Sequence, residues 1–107
     1  MEGFEKVAQR AEVAPGKMKV VEAQGEKIVL ADLGGELIAF GNVCTDDDCD
    51  LVYDGVGEID ALGEIECDCH GSRFNVRTGE VTAPPAPAPI PVYTVQIDGD
   101  DILVGPR

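Results

Sequence analysis

The sequence predicts an all-β fold. Three observations lead there. Apolar and polar residues alternate, or β-branched residues run together, in short stretches. Turn residues interrupt those stretches at about ten-residue spacing, the rhythm of an antiparallel sandwich or barrel. No segment of useful length carries a helical stripe.

The stretches follow in order. FEKVAQR (4–10) precedes the Ala14-Pro15-Gly16 break, and KMKVVEA (17–23) leads to a turn at Gln24-Gly25-Glu26. KIVLADL (27–33) and ELIAFGNV (36–43) flank Gly34-Gly35, a pair suited to a tight hairpin. GEIEC (63–67), SRFNV (72–76) and GEVTA (79–83) are shorter. Residues 84–91, PPAPAPIP, lack most backbone donors and predict an extended polyproline-like connector. VYTVQI (92–97), the turn Asp98 to Asp101 and ILV (102–104) predict a closing hairpin. No repeat and no domain boundary is visible, so residues 1–107 are expected to form one domain.

The net charge is −13, from 21 acids against 8 Lys and Arg. Such a field repels phosphates, which argues against nucleic acid and anionic membrane surfaces. It favours a partner with a basic docking face, through an association that weakens as salt rises. No apolar stretch approaches the roughly 20 residues of a membrane span, and the N-terminus lacks a signal-peptide core. The expectation is a soluble, cytoplasmic monomer. In a reducing compartment its 4 cysteines are more often metal ligands than disulfides.

Those cysteines lie in two loops, Cys44-Thr45-Asp46-Asp47-Asp48-Cys49 and Cys67-Asp68-Cys69-His70-Gly71-Ser72, 17 residues apart. In a β-rich chain that gap is hairpin-sized, so two loops at one end of a sheet could meet around one metal centre. Thiols with an imidazole suit iron–sulfur or zinc, and not magnesium or calcium. The Asp46, Asp48, Asp50 spacing mimics the start of a calcium loop, but Leu51 stands where its glycine is required and Gly57 where its glutamate is. The C-x₄-C-x₂-C spacing of plant-type ferredoxins fails at Val52. Adjacent Cys69 and His70 have the wrong geometry for a nucleophile pair.

The order C-x-D, then C-x-x-H-G-x-x-F-x-x-x-T-G from Cys67 to Gly79, then a proline-rich loop, resembles that of Rieske iron–sulfur proteins. The likeness to soluble Rieske-type ferredoxins covers essentially the whole chain. It implies an antiparallel β-sandwich with a small cluster-binding subdomain, about residues 43–82, carrying a 2Fe–2S cluster. In such centres two cysteines hold one iron and two histidines the other, at roughly −150 to +300 mV. Carried over by position, Cys44 and Cys67 are the thiolate pair and His70 is one imidazole ligand at an exposed tip. Asp46 stands where the other histidine is expected.

Four roles are open to Asp46: a carboxylate ligand to iron, a residue lining an empty or degraded site, a bystander to a substituting thiol (Cys49 or Cys69), or part of a site holding zinc or another mononuclear metal. The resemblance also implies a disulfide between Cys49 and Cys69, set against two reduced thiols. Ser72 matches a serine that hydrogen-bonds the cluster. Phe74 stands where high-potential members have a tyrosine, so one donor is lost and the potential should fall. Asp68 replaces a usual proline, and Arg73 and Arg77, the only positive charges nearby, either offset the acids or, as expected here, are solvated surface charges. The function implied is one-electron transfer from a ferredoxin reductase to an oxygenase or similar acceptor, without catalysis on this chain. The alternative is a Rieske-fold protein with an altered or lost cluster, serving as a non-redox binding or regulatory module.

Overall fold

Nine strands form in a computed structural model, which describes residues 3–45, 49–52, 59–67, 71–84 and 86–106. They are β1 (Glu5–Gln9), β2 (Met18–Ala23), β3 (Glu26–Leu33), β4 (Glu36–Gly41), β5 (Glu64–Glu66), β6 (Arg73–Asn75), β7 (Val81–Ala83), β8 (Val92–Asp98) and β9 (Asp101–Gly105). Each matches a stretch the sequence marks as β to within two residues at either end, with Glu26, Asp98 and Asp101 joining strands from positions expected in turns. The one departure is a 3₁₀ turn at Arg10–Glu12, where the first apolar run breaks.

Turn chemistry sets the hairpins. Ala23 pairs Glu26 across Gln24 and Gly25, and Leu33 pairs Glu36 across Gly34 and Gly35. All four central residues have positive φ, as a twisted two-residue hairpin demands. The resulting six-stranded antiparallel sheet has the order β1-β9-β8-β4-β3-β2. Its two edge strands approach one another, so the sheet curls towards closure. A second sheet, β5-β6-β7, is made entirely between the two cysteine loops and the proline-rich segment.

Strand β3 explains how the layers stack. Its residues Ile28 to Asp32 are all buried, with none of the polar alternation of a half-solvated strand. Ile28 and Leu30 point into an apolar cluster inside the curled sheet, with Ala8, Val13, Val21, Ala39, Ile102 and Val104. Val29 and Ala31 point the other way, into a cluster with Phe40, Cys44, Leu51, Ile65, Cys67, Phe74 and Ile90. The small sheet and the cysteine loops are therefore packed onto the outer face of β3 and β4.

Among the described residues three buried side chains are polar: Asp32, Asn42 and Ser72. Asp32 accepts from Arg10 at 2.7 Å and from the Gly35 N–H at 2.7 Å, tying the 3₁₀ turn and a hairpin turn to β3. The Arg10 guanidinium, then the Gly35 amide, hold the Asp32 carboxyl below the usual carboxylate range. A depressed folded-state pKa stabilises above the unfolded value of about 3.9, and that contribution is lost as pH falls through it towards the folded value. Asp32→Asn should thus melt below the wild type at pH 7, with the gap narrowing towards pH 3, in thermal melts followed by circular dichroism. An equal gap at both pH values would remove the ion pair as its cause.

Candidate metal centre

Each cysteine loop is the tip of a hairpin, and each is closed at a cysteine. In the first, Leu51 N–H donates to Asn42 O (3.0 Å), Val43 bridges Asp50, and Cys44 N–H donates to Cys49 O (2.8 Å). The Asn42 side chain copies a peptide group there: its amide donates to Val52 O and accepts from Val52 N–H, both at 2.7 Å. In the second, Glu66 pairs Arg73 and Cys67 N–H donates to Ser72 O (2.7 Å). Gly71 N–H then returns to Cys67 O (2.9 Å). Both loops thus offer a cysteine at the last paired position before a four-residue tip.

Cys44 and Cys67 are fully buried, and neither is in a disulfide. They share one apolar cluster, against which Cys49 is partly buried. Two buried thiols in one apolar cluster suit a soft metal: a buried thiolate pair needs a compensating cation, and apolar surroundings keep water from competing. This donor set fits the thiolate half of an iron–sulfur centre. Asp46, His70 and Cys69 lie outside the described residues, as do Asp47, Asp48 and Asp68. Among the described residues no three His, Cys, Asp or Glu side chains gather as a metal site.

Ser72 and Phe74 occupy different surroundings. Phe74 is fully buried as core beside Ile65. The Ser72 Oγ is buried and accepts from Ala86 N–H at 3.0 Å, leaving its own proton to donate elsewhere. That bond ties the second loop to the proline-rich segment. The first loop is tied to the same segment two residues on, where Thr45 Oγ1 donates to Ala88 O at 2.5 Å. The segment is anchored further along by Ile90 N–H to Gly79 O (2.9 Å) and Gly41 N–H to Pro91 O (2.8 Å). Gly79 has φ +83°, and a Cβ there would run into the Ile90 carbonyl.

The roles of Thr45, Asn42 and Ala86 leave no motif in the sequence. The expectation for Arg73 is corrected. It is not a solvated surface charge, because it bonds Glu64 (3.1 Å), Glu66 (3.1 Å) and Asp60. Asp60 also caps the N–H groups of Leu62 and Glu64. The Glu64 and Leu62 amides and Arg73 hold the Asp60 carboxyl below its ordinary range. Arg77, exposed, reaches Glu36 at 3.0 Å and links the small sheet to the start of β4.

Comparison with known proteins agrees with this geometry. A family model described as Rieske [2Fe-2S] domain matches residues 3–94. The ferredoxin component of biphenyl 2,3-dioxygenase from Rhodococcus jostii is 36% identical over 99 residues, 92% of this chain and 89% of that protein. The cytochrome b6-f complex iron-sulfur subunit of Chlorobaculum thiosulfatiphilum is 34% identical over 98 residues. The match takes in 92% of this chain but only about half (51%) of that relative's length. Among solved structures, the ferredoxin of carbazole 1,9a-dioxygenase from Nocardioides aromaticivorans superposes with a TM-score of 0.84 at 33% identity, covering 99% of this chain and 100% of that one.

Two substitutions test the anchoring. Ser72→Ala leaves the Ala86 N–H buried without an acceptor and should cost about 1–3 kcal/mol in denaturant unfolding. Gly79→Ala combines positive φ with displacement of the Ile90 carbonyl and should cost more than about 2 kcal/mol. Wild-type unfolding midpoints in both would disprove the anchoring.

Proposed function

Because the chain belongs to the Rieske [2Fe-2S] domain family, we propose that it is a one-electron carrier, taking electrons from a ferredoxin reductase and passing them to an oxygenase or similar acceptor. The observation that carries this is the pair of buried thiols, Cys44 and Cys67, brought into one apolar cluster from two separate hairpins. The relatives add support. The Rhodococcus protein is a dioxygenase's ferredoxin component. A ferredoxin 27% identical to this chain, matched over 94% of this chain and 91% of its own at a TM-score of 0.80, was solved in a complex with a reduced oxygenase.

The [2Fe–2S] cluster, when bound, supplies the one-electron couple. The chain's own residues hold it and keep water away. Cys44 and Cys67 would provide the thiolates, and His70 and Asp46 the nitrogen and oxygen donors. Asp46 is a harder, anionic donor than imidazole, so it should weaken the site and favour the oxidised state. Phe74, with no hydroxyl to offer, acts in the same direction, while Ser72 keeps a donor. A bridge between Cys49 and Cys69 would tie the tips of the two hairpins. The chain forms one domain, with residues from about 43 to 82 as its cluster-binding part. No helix among the described residues is long and apolar enough to cross a membrane, and we place the carrier in the cytoplasm.

Iron and acid-labile sulfide analysis tests the reading, with two of each per chain expected. A colourless sample without sulfide would overturn it in favour of a non-redox module. Asp46→His should convert the absorption and electron paramagnetic resonance spectra to those of a two-histidine centre and raise the potential. Unchanged spectra and potential would remove Asp46 from the ligand set.

A further inference from the structure

We propose that the outer face of β5 and β6, with the Asp60–Gly63 turn, is a docking face for the basic surface of a partner protein, anchored by Leu62. This rests on the electron-carrier reading and adds where on the molecule the partner sits.

Charge is the first observation. Residues 43–82 contain 11 Asp and Glu against only Arg73 and Arg77, so this stretch holds −9 of the −13. Both arginines are already engaged, Arg77 by Glu36 and Arg73 by three carboxylates. On the β5–β6 face Glu66 lies opposite Arg73 and Glu64 opposite Asn75. Together with Asp60 they surround one guanidinium, leaving the face with two uncompensated negative charges. Glu66 and Asp60 remain partly open to solvent, at 53% and 36% side-chain exposure. Lysine or arginine side chains from a partner would complete the balance, and like-charged partners are repelled.

The second observation is Leu62, 76% exposed. A lone exposed leucine is commonplace. This one stands on a turn fixed by three bonds, Leu62 N–H and Glu64 N–H to the Asp60 carboxylate and Gly63 N–H to Asp60 O. Asp60 in turn bonds Arg73, so turn and charged face are one rigid unit. An apolar side chain already held in place loses little freedom when a partner covers it. An apolar anchor within a charged surround is how interfaces concentrate their affinity.

The third observation is position. Glu66 directly precedes Cys67 and Arg73 directly follows Ser72, so the face flanks the stem of the second cysteine loop. A partner seated there lies alongside that loop.

The test uses the intact protein with full iron and sulfide, and cytochrome c as a lysine-rich protein probe, titrated calorimetrically at low salt. Glu66→Gln and Leu62→Ser should each weaken binding about threefold. Asp98→Asn removes the same charge from the β8–β9 turn of the other sheet and should leave binding unchanged. Raising salt to about 0.5 M should abolish wild-type binding. Visible spectra and potentials of the variants show whether the cluster itself was disturbed. Wild-type affinity in both Glu66→Gln and Leu62→Ser would overturn the proposal. Equal weakening by Asp98→Asn would also overturn it, by reducing the effect to net charge. So would sedimentation showing that Leu62 buries itself against a second copy. Calorimetry reads surface binding without electron transfer, so a failure here in a cluster-loaded sample leaves the carrier reading standing.

Discussion

The arrangement of the site depends on one constraint, the shortage of backbone donors between residues 84 and 91. Five of these eight residues are proline. Only Ala86, Ala88 and Ile90 have an N–H, so the segment cannot join a sheet by an ordinary ladder. It is held instead by single bonds from separate elements: Ser72 in the second cysteine loop, Thr45 in the first, and Gly79 and Gly41 at its far end. Ala86 and Ile90 turn inward into the core, while Pro87, Ala88 and Pro89 stay exposed. Among the described residues the strap is thus bonded to both cysteine loops.

That strap works only because something rigid lies beneath it. Strand β3 is buried on both faces, so the core inside the curled sheet and the core beneath the small sheet meet on one strand. Burying such a strand twice removes apolar surface on both sides and leaves no solvated face to bend or slip. The buried polar side chains are placed where this regular pairing stops. Asp32 holds the 3₁₀ turn, Asn42 closes the first hairpin, and Ser72 reaches the strap. Each is hydrogen-bonded, which is what makes a buried polar group tolerable.

These differences in interaction type explain what the sequence made legible. All nine strands show as local patterns, because alternation and turn residues act within ten residues or so. The cysteine motifs were legible for the same reason, as fixed short spacings. The ties that position them were not. Thr45 to Ala88 and Ser72 to Ala86 join residues 43 and 14 apart, and in each the partner is a backbone group that leaves no side-chain signature in the sequence. The Arg10–Glu12 turn was hidden because a single 3₁₀ turn is too short to carry a stripe. Arg73 looked like a surface charge because its three acids are spread from residue 60 to residue 66, and only the β5–β6 register brings them together.

The concentration of negative charge in residues 43–82 bears on the redox chemistry as well as on docking. Charges of one sign packed into about 40 residues repel each other, and Arg73 offsets only part of that among Asp60, Glu64 and Glu66. A fold that carries this cost gains a field around its one-electron centre that disfavours an added electron. In the proposed ligand set, the field, a carboxylate from position 46 and the lack of a hydroxyl at Phe74 would all favour the oxidised form. A carrier biased in this way gives up its electron readily. It also needs a donor of low potential to be loaded at all. Basic groups of a partner brought against the acidic face oppose that field, making the reduced state easier to hold while the two proteins are together. The charge that attracts the partner is then also the charge whose neutralisation changes the driving force, so docking and electron transfer are coupled through the same carboxylates.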